Sequence, residues 1–196
     1  MTITLKLLTS NRDKVTEANI ALRGSGVQVA ASVCAGKLEL QSDTLEDVAS
    51  YAAVQGYAWL HEAVLAEDSG FFVGSLKGFP GVYSRYVFDT LGVNGLLKLV
   101  GDSVDRKAEF RSCVAYYDGR VLRTFSGSVQ GIVLTRPSGS RGFGFDPIFA
   151  PSASRKISFA DMTTAEKTRI SHRGEAFRKL GEWARANLTA GPNAAQ

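Results

Sequence analysis

The sequence predicts an α/β protein with a central mixed β-sheet, and three observations support this fold class. Predicted strands and helices alternate through the first third of the chain, which is typical of parallel strands joined by helices. The middle third carries an alternating strand from Lys107 to Tyr117, and Asp118-Gly119 after it indicates a hairpin turn. The last third returns to a helical pattern. We therefore expect parallel and antiparallel pairing in one sheet, with helices on its faces.

Apolar periodicity and turn residues place the elements in order. A strand at 3–8 leads into a polar turn, and a helix at 13–22 precedes a second strand at 27–34. The residues Asp68-Ser69-Gly70 are expected to break the next strand. Further along, we predict strands at 63–67 and 71–73, a Gly/Pro loop at 76–80, short helices at 84–89 and 92–100, a return strand at 120–134 and a Gly-rich loop at 135–144.

Two capping boxes mark the beginnings of helices. In the first, Asp43 is the capping residue and Glu46 lies three positions later, so a helix begins here and ends near Leu60. In the second, Thr163 and Glu166 begin a last long helix that continues past position 180.

Length and composition are those of a soluble globular protein. Of the 196 residues, 44% are apolar and 21% are charged, and the net charge is +4. These values argue against a disordered or fibrous protein. The basic residues are scattered, so a nucleic-acid-binding arm is not indicated. We expect residues 1–187 to form a single domain with two lobes, and residues 188–196 to form a flexible tail.

Targeting signals and cysteine usage favour a cytoplasmic protein. No apolar run approaches the roughly 18 residues of a membrane span, and the first residues alternate too much for a signal peptide. Cys34 and Cys113 are expected to be buried free thiols. Since His61 and His172 are the only histidines, no zinc site can be assembled.

A first polar motif, Thr9-Ser10-Asn11-Arg12-Asp13-Lys14, lies between a predicted strand and a predicted helix. Backbone N–H groups at a helix N-terminus bind anions, and a lysine in the first turn adds a full charge. This motif therefore predicts a phosphate contact, although it is not a P-loop. The alternative is an ordinary helix cap with a solvated lysine.

A second motif, Glu67-Asp68-Ser69-Gly70, follows a buried apolar run. Carboxylates at a strand end project into the space above a sheet, and Mg²⁺ takes one or two of them together with water and phosphate oxygens. A carboxylate beside a metal can also accept a proton from an attacking water. Glu39, on the loop after the second strand, is a further candidate for this acidic set. The alternative is a solvated turn.

A third motif runs from Gly142 to Phe149. Phe143 and Phe145 are expected to offer aromatic faces on which a base stacks. Asp146 precedes Pro147, which favours an extended backbone, and its carboxylate is expected to accept a hydrogen bond from a base edge. The alternative is a pair of core aromatics beside a turn.

A fourth group lies on the last predicted helix. Lys167 and Ser171 are four residues apart and are expected to share a helix face, whereas His172 and Arg173 lie on neighbouring faces. Arginine suits phosphate or planar partners. The alternative is a solvated amphipathic helix. Taken together, the four groups indicate a nucleotide bound with a metal.

The chain resembles the inosine triphosphate pyrophosphatase family, from Leu7 to Lys179. The stretch Leu38-Glu39-Leu40-Gln41 is most similar to the archaeal branch, and many relatives have two aspartates where this chain has Glu67-Asp68. The matching motifs are Thr9-Ser10-Asn11-x-x-Lys14, Ala66-Glu67-Asp68-Ser69-Gly70, Gly78-Phe79-Pro80-Gly81-Val82-Tyr83-Ser84, the stretch Gly142 to Phe149, and Phe159-Ala160-x-Met162-x-x-x-Glu166-Lys167-x-x-Ile170-Ser171-His172-Arg173.

The resemblance implies an elongated, two-lobed fold with a central mixed sheet and a substrate cleft between the lobes. It also implies a homodimer and one or more Mg²⁺ per subunit. By motif position, Asp68 is similar to the proton acceptor, and Glu39 and Asp68 to metal-associated acids. The implied substrate contacts are Thr9, Ser10, Asn11, Arg12, Asp13, Lys14, Ser69 and Lys167, with Phe143, Gly144, Phe145, Asp146, His172 and Arg173 around the base.

The implied reaction is hydrolysis of a non-standard purine triphosphate (ITP, dITP or XTP) to the monophosphate and pyrophosphate. Two alternatives stay open from the residues. One is a non-catalytic nucleotide or RNA-binding module, which would use the same aromatic and basic residues. The other is a phosphatase that releases orthophosphate.

Overall fold

A mixed β-sheet runs through the part of the chain that the structure, a computed structural model, describes: residues 2–33, 40–154 and 157–188. The sheet order is β2-β1-β3-β5-β6-β7, and β4 pairs with β3. Its strands are β1 (Ile3–Leu8), β2 (Val27–Ser32), β3 (Val64–Val73), β4 (Pro80–Gly81), β5 (Lys107–Tyr117), β6 (Leu122–Val133) and β7 (Phe149–Pro151). The helices are α1 (Arg12–Ala21), α2 (Leu45–Leu60), α3 (Ser84–Val100), α4 (Thr164–Ile170) and α5 (His172–Asn187).

Both kinds of strand pairing are present, so the predicted mixed sheet is confirmed. β1 is parallel to β2 and to β3, while β3, β5, β6 and β7 pair antiparallel in that order. The hairpin between β5 and β6 begins its ladder at Tyr117 and Leu122, as the turn signal predicted.

Helices cover both faces of the sheet. The neighbouring residues Leu7 and Leu8 point to opposite faces, as consecutive strand residues must. Leu7 packs with Phe177 and Leu180 of α5 and with Ala18 of α1, whereas Leu8 packs with α2. A third cluster, rich in phenylalanine, joins the far ends of β3 and β5 to α3.

Two local predictions in the first half of the chain are wrong. β3 runs unbroken through Asp68-Ser69-Gly70, because all ten of its residues pair with β5 and that ladder keeps the backbone extended. The capping residue of α2 is Thr44 rather than Asp43, since the Thr44 side chain accepts the hydrogen bond from the Asp47 N–H. The two short helices predicted at 84–89 and 92–100 form one element, α3, which is kinked at Gly92, where φ is 63°.

The last long helix is instead two helices that meet at Ser171. This residue is extended (φ −85°, ψ 158°), and its hydroxyl accepts a hydrogen bond from the Gly174 N–H at 3.1 Å, which caps α5. A Cβ at Gly174 would lie 1.8 Å from the Thr168 carbonyl oxygen. Because the helix is interrupted at Ser171, Lys167 and Ser171 do not share one continuous helix face.

Two further predictions concern cysteine and the membrane. Cys113 is a buried free thiol, as predicted, and burial raises its pKa to about 12. Cys34 and the predicted tail at 189–196 lie outside the described residues. Among the described residues, no helix has the length and apolar character that a bilayer crossing requires.

Candidate active site

A cleft opens where β3 extends beyond its neighbours on one side. β1 pairs with β3 at Val64 and Leu65, and β4 pairs with β3 at Phe71 and Phe72. The residues between these contacts, 67–70, border a cleft of about 460 Å³. This interruption in the sheet lets the consecutive residues Glu67 and Asp68 line one space although their side chains point to opposite faces.

The turn after β1 forms one end of the cleft. The residues of this turn and of the first turn of α1 that line the cleft are Thr9, Ser10, Asn11 and Lys14. Asn11 is the helix cap, since its Oδ1 accepts hydrogen bonds from the backbone N–H groups of residue 13 at 2.9 Å and Lys14 at 3.2 Å. The lysine is paired with a carboxylate, because its Nζ lies 2.7 Å from Glu67 Oε2.

Arg12 and Asp13 lie elsewhere. Both side chains are exposed, and neither is among the residues that line the cleft. They belong to the outer surface of the first turn of α1, so the structure does not bring these two predicted contacts to the site.

The two neighbouring acids of β3 have different surroundings. Glu67 is buried and accepts a hydrogen bond from the Ser112 hydroxyl at 2.6 Å. Burial alone would raise the pKa of Glu67, but Arg173 and Lys14 outweigh it and hold that pKa well below its ordinary value. Asp68 is half-buried at the cleft surface. The buried carboxylate of Glu67 therefore forms salt bridges with Lys14 and Arg173. Asp68 is the more exposed of the two acids and so the more accessible to a ligand in the cleft.

Six charged side chains form a continuous chain of alternating sign beside the cleft, which we call the ion chain. Its inner member Glu17 contacts Lys167 Nζ through Oε1 at 2.9 Å and Arg173 Nη1 through Oε2 at 2.7 Å. Arg173 Nε also lies 3.1 Å from Glu67 Oε1. In order, the members are Asp146, Lys167, Glu17, Arg173, Glu67 and Lys14.

Burial explains why the ion chain is paired so completely. The Lys167 and Arg173 side chains are only 3% and 1% exposed, and a buried cation without a partner would be strongly destabilising. Burial acts to raise the pKa of Glu17, but Arg173 and Lys167 outweigh that effect and lower it. At the end of the ion chain, burial raises the pKa of Asp146 even though Lys167 opposes that rise. The six side chains are thus mutual partners and hold one another in place. Arg173 also donates to the Ser69 hydroxyl at 2.8 Å, which fixes that cleft residue.

His172 is a buried neutral imidazole. It is 2% exposed, its ring stacks on Phe110 at 4.9 Å and 10°, and it lines the cleft. Burial, followed by the charges of Arg173 and Lys167, lowers its pKa well below the ordinary value. Its Nδ1 is a buried polar atom that has no hydrogen-bond partner within the described chain.

The Gly-rich loop forms the opposite wall. The Phe143 ring lies 4.7 Å from Lys167 Nζ and 5.3 Å from Arg173 Cζ, in cation–π contact with both. Gly144 lies beside it, also in the cleft lining. Gly142 has a φ of 73°, and a Cβ there would lie 2.1 Å from an Asp146 oxygen, so only glycine fits.

Phe145 and Asp146 differ from their predicted geometry. Phe145 touches the cleft but is 2% exposed, and its ring stacks on Phe71 at 5.5 Å, so it is mainly a core residue. Asp146 begins a short 3₁₀ turn instead of an extended segment. Its Oδ2 accepts a hydrogen bond from the Phe143 N–H at 2.9 Å and pairs with Lys167, so this oxygen is already occupied by the protein.

Several residues that line the cleft or support it were missing from the sequence prediction. Glu17 lies three residues after Lys14, on the same face of α1, and that spacing was the available signal. Ser84 of α3 lines the cleft and joins β3 to β4, because its hydroxyl accepts from the Phe71 N–H at 2.7 Å and donates to the Gly81 carbonyl at 2.6 Å. Arg85 of the same helix also lines the cleft. A serine and an arginine in a loop-to-helix segment carry no such signal in one sequence.

The predicted metal ligand Glu39 lies outside the described residues. Within the part of the chain that is described, no cluster of three or more His, Cys, Asp and Glu side chains could hold a metal ion. Magnesium does not require such a cage, since one or two carboxylates with water and phosphate oxygens are sufficient. Asp68 is a hard oxygen donor at the cleft surface and fits that requirement.

Comparisons with known proteins agree with the motif resemblance. Residues 5–183 match the model of the Ham1 family. A dITP/XTP pyrophosphatase of Hyperthermus butylicus is 48% identical over 179 residues, which cover 91% of this chain and 93% of the relative. A dITP/XTP pyrophosphatase of Thermococcus kodakarensis is 48% identical over 188 residues, which cover 94% of this chain and 98% of the relative.

Solved structures show the same architecture. The Staphylococcus aureus Ham1 protein superposes with a TM-score of 0.81 at 26% identity and covers 93% of this chain and 98% of its own. A HAM1 protein from Coxiella burnetii superposes with a TM-score of 0.82 at 26% identity and covers 94% and 100%. Sequence, fold and family model thus agree over nearly the whole chain, which belongs to the Ham1 family.

Proposed function

We propose that this chain hydrolyses non-standard purine nucleoside triphosphates (dITP, XTP and ITP) to the monophosphate and pyrophosphate. One observation carries the proposal: a single cleft brings together a half-buried carboxylate, a polar helix-capping turn, buried cations and an aromatic ring. A nucleoside triphosphate has parts that match each of these. The relatives named dITP/XTP pyrophosphatase, at 48% identity, support the same substrate class.

The charge balance of the cleft supports a divalent cation. The members of the ion chain are three carboxylates and three cations, whose charges cancel, whereas a triphosphate is highly negative. We propose that Asp68 holds Mg²⁺, together with Glu39. When bound, the metal would neutralise charge on the phosphates and on the departing pyrophosphate.

The protein's own groups have distinct roles in this proposal. The side chains of Thr9, Ser10 and Asn11 donate to phosphate oxygens, and Lys14 adds a positive charge at the same end. The Asp68 carboxylate accepts a proton from the water that attacks the α-phosphorus. As the new phosphorus–oxygen bond forms, the bond between the α-phosphorus and the bridging oxygen breaks, and pyrophosphate leaves.

At the other end, base selection follows from hydrogen-bond pairing. Hypoxanthine and xanthine present a 6-oxo acceptor and an N1–H donor, whereas adenine presents a 6-amino donor. A neutral His172 can donate from Nδ1 to the 6-oxo group, beside the Phe143 ring. With adenine, buried polar groups of the pocket would be left unpaired, which discriminates by orders of magnitude.

Product analysis tests the proposal. The chain is incubated with Mg²⁺ and, separately, dITP, XTP, ITP, GTP and ATP, and the released phosphate is identified. We expect pyrophosphate and monophosphate from the first three, with much slower turnover of ATP. Guanine shares the 6-oxo acceptor and the N1–H donor with hypoxanthine, so slow turnover of GTP would show that the pocket also discriminates at position 2 of the base. Orthophosphate would instead identify a phosphatase. Binding of RNA with steep salt dependence and no turnover would identify a binding module.

We further propose that the chain is a cytoplasmic homodimer in which residues 1–187 form one domain with two lobes. The family resemblance supports a homodimer. The cytoplasmic location is supported by the proposed substrates, because free purine triphosphates are found in the cytoplasm. Light scattering after gel filtration should give twice the chain mass of 21.0 kDa. A monomeric mass at micromolar concentration would contradict this assembly.

A further inference from the structure

The loop at 135–144 has neither helix nor strand, yet it carries Phe143 into the cleft. Besides the hydrogen bond from the Phe143 N–H to Asp146, two backbone–backbone hydrogen bonds anchor it. The Ser138 N–H donates to the Pro147 carbonyl at 2.9 Å, and the Arg141 N–H donates to the Ala160 carbonyl at 3.0 Å. The position of the aromatic ring therefore depends on how this loop is fastened to the rest of the molecule.

Side chains add a second set of contacts between the loop and the short turn at 158–161. The Ser138 hydroxyl donates to Asp161 Oδ2 at 2.8 Å, and Arg141 Nη1 donates to the Asp161 carbonyl at 3.1 Å. The Ser158 hydroxyl lies 2.9 Å from the Ser138 carbonyl oxygen. We call these contacts the clasp.

Close backbone packing points to the same place independently. Gly139 has a φ of 77°, and a Cβ there would lie within 2.5 Å of backbone atoms of Ala160 and Asp161. Only glycine lets the loop approach the turn so closely. The clasp is thus a built contact between two backbones, in addition to its side-chain hydrogen bonds.

Asp161 also caps its own turn, and a neighbouring residue provides a comparison. Its Oδ2 accepts from the Ser158 N–H at 3.1 Å. Glu166 makes the equivalent capping contacts with Thr163, at 2.8 Å to the N–H and 2.7 Å to the hydroxyl. Within the described chain, however, Glu166 forms no hydrogen bond to the loop. The two acids therefore share a capping role, and Asp161 alone adds the contact to Ser138.

We infer that Asp161 is a positioning residue that fastens the loop through Ser138 and thereby sets where the Phe143 ring stands in the cleft. The inference rests on the proposed function for its kinetic consequence. Its structural consequence, a loop held against the turn at 158–161, is independent of any activity.

Limited proteolysis tests the structural consequence. Trypsin cleaves after arginine, and the Arg141–Gly142 bond lies within the fastened loop. We expect cleavage there to be about tenfold faster in Asp161→Asn, which removes the carboxylate charge that Ser138, Ser158 and Arg141 all meet. In Ser138→Ala, which loses only the hydrogen bond from Ser138, we expect it to be about threefold faster. Glu166→Gln is the matched control, since it weakens a similar capping box and also removes a charge that acts on Arg141, but breaks no hydrogen bond to Ser138. It should accelerate cleavage at this bond by less than about twofold.

Kinetics with dITP test the functional consequence. Both loop variants should raise KM at least threefold with kcat within about twofold of the parent, because Asp68 and Lys14 stand on other elements and keep their positions. Parental cleavage and KM in Ser138→Ala would overturn the inference. So would equal acceleration in Asp161→Asn and Glu166→Gln, which would assign the effect to capping. If the parent chain releases no pyrophosphate, the proposed function fails, while the proteolysis result still decides about the clasp.

Discussion

The two walls of the cleft are held by different physical means. The wall formed by α1, β3 and α5 is fixed by buried charges, each inner member of the ion chain touching a partner on either side. The loop wall has no regular structure and is fastened at the surface by the clasp. Asp146 joins them, since it follows the loop and pairs with Lys167. The comparison indicates that buried salt bridges preorganise the wall proposed to face the phosphates. The position of the loop wall depends instead on a few hydrogen bonds at the surface.

Asp68 provides the largest test of the first wall. Asp68→Asn removes the proposed proton acceptor and metal ligand while keeping nearly the same shape. We expect kcat for dITP to fall by about a thousandfold or more, with the thermal midpoint little changed. Pyrophosphate release and thermal denaturation measure the two effects. A kcat near the parental value would remove Asp68 from the mechanism.

Glu17 tests whether the ion chain holds the first wall together. Glu17→Ala leaves Lys167 and Arg173 each without one buried partner, so we expect a loss of about 3–5 kcal/mol in the free energy of unfolding. Urea denaturation measures it. The exposed pair Lys6–Glu62 supplies the control, because Glu62→Ala at about half exposure should cost less than about 1 kcal/mol. Equal losses would mean that burial adds nothing to this pairing.

The two loop phenylalanines separate packing from ligand contact. Phe145→Ala removes a core ring and should cost about 3–4 kcal/mol of stability. Phe143→Ala should cost much less stability and raise KM for every purine triphosphate about tenfold, through lost stacking. Urea denaturation and steady-state kinetics on the pair give both readouts. An unchanged KM in Phe143→Ala would show that the Phe143 ring does not contribute to substrate binding.

His172 gives the smallest effect, seen in the pH dependence of stability. Because its pKa is lowered in the folded chain, the unfolded chain binds a proton below pH 6.5 that the folded chain does not. Stability is therefore lost as pH falls below 6.5, by at most about 1.4 kcal/mol per pH unit.

His172→Phe, which keeps a ring against Phe110, should flatten that slope between pH 6.5 and 5. The carboxylates Glu17 and Glu67 also have lowered pKa values, so their contribution is lost below about pH 4.5 in both proteins. Identical slopes for parent and variant above pH 5 would show that the imidazole is protonated in the folded chain.

Much of the fold could be predicted from local pattern, because periodicity and turn residues act over a few positions. The β5–β6 hairpin and the capping box at Thr163 are examples. The continuity of β3 was not predictable in this way, since it depends on pairing with β5, forty residues away in the chain. Likewise, the break at Ser171 reflects packing of α4 against α5.

The site shows the same division. The motifs named most of the cleft residues, among them Asp68, Lys14 and Phe143. They did not show that Glu67 forms salt bridges with cations or that Phe145 belongs to the core. Both facts depend on residues that are far away in the sequence. Glu17 was missed for the same reason, as its burial is caused by Lys167 and Arg173 from the other end of the chain.

The alternating order of the ion chain also constrains how the protein can diverge. Reversing or removing the charge of one inner member of the ion chain would leave like charges as neighbours in a buried environment that screens them poorly. Tolerated changes at these positions should therefore arrive as compensating pairs from separate segments, so that Asp146 and Lys167, for example, are inherited or lost together.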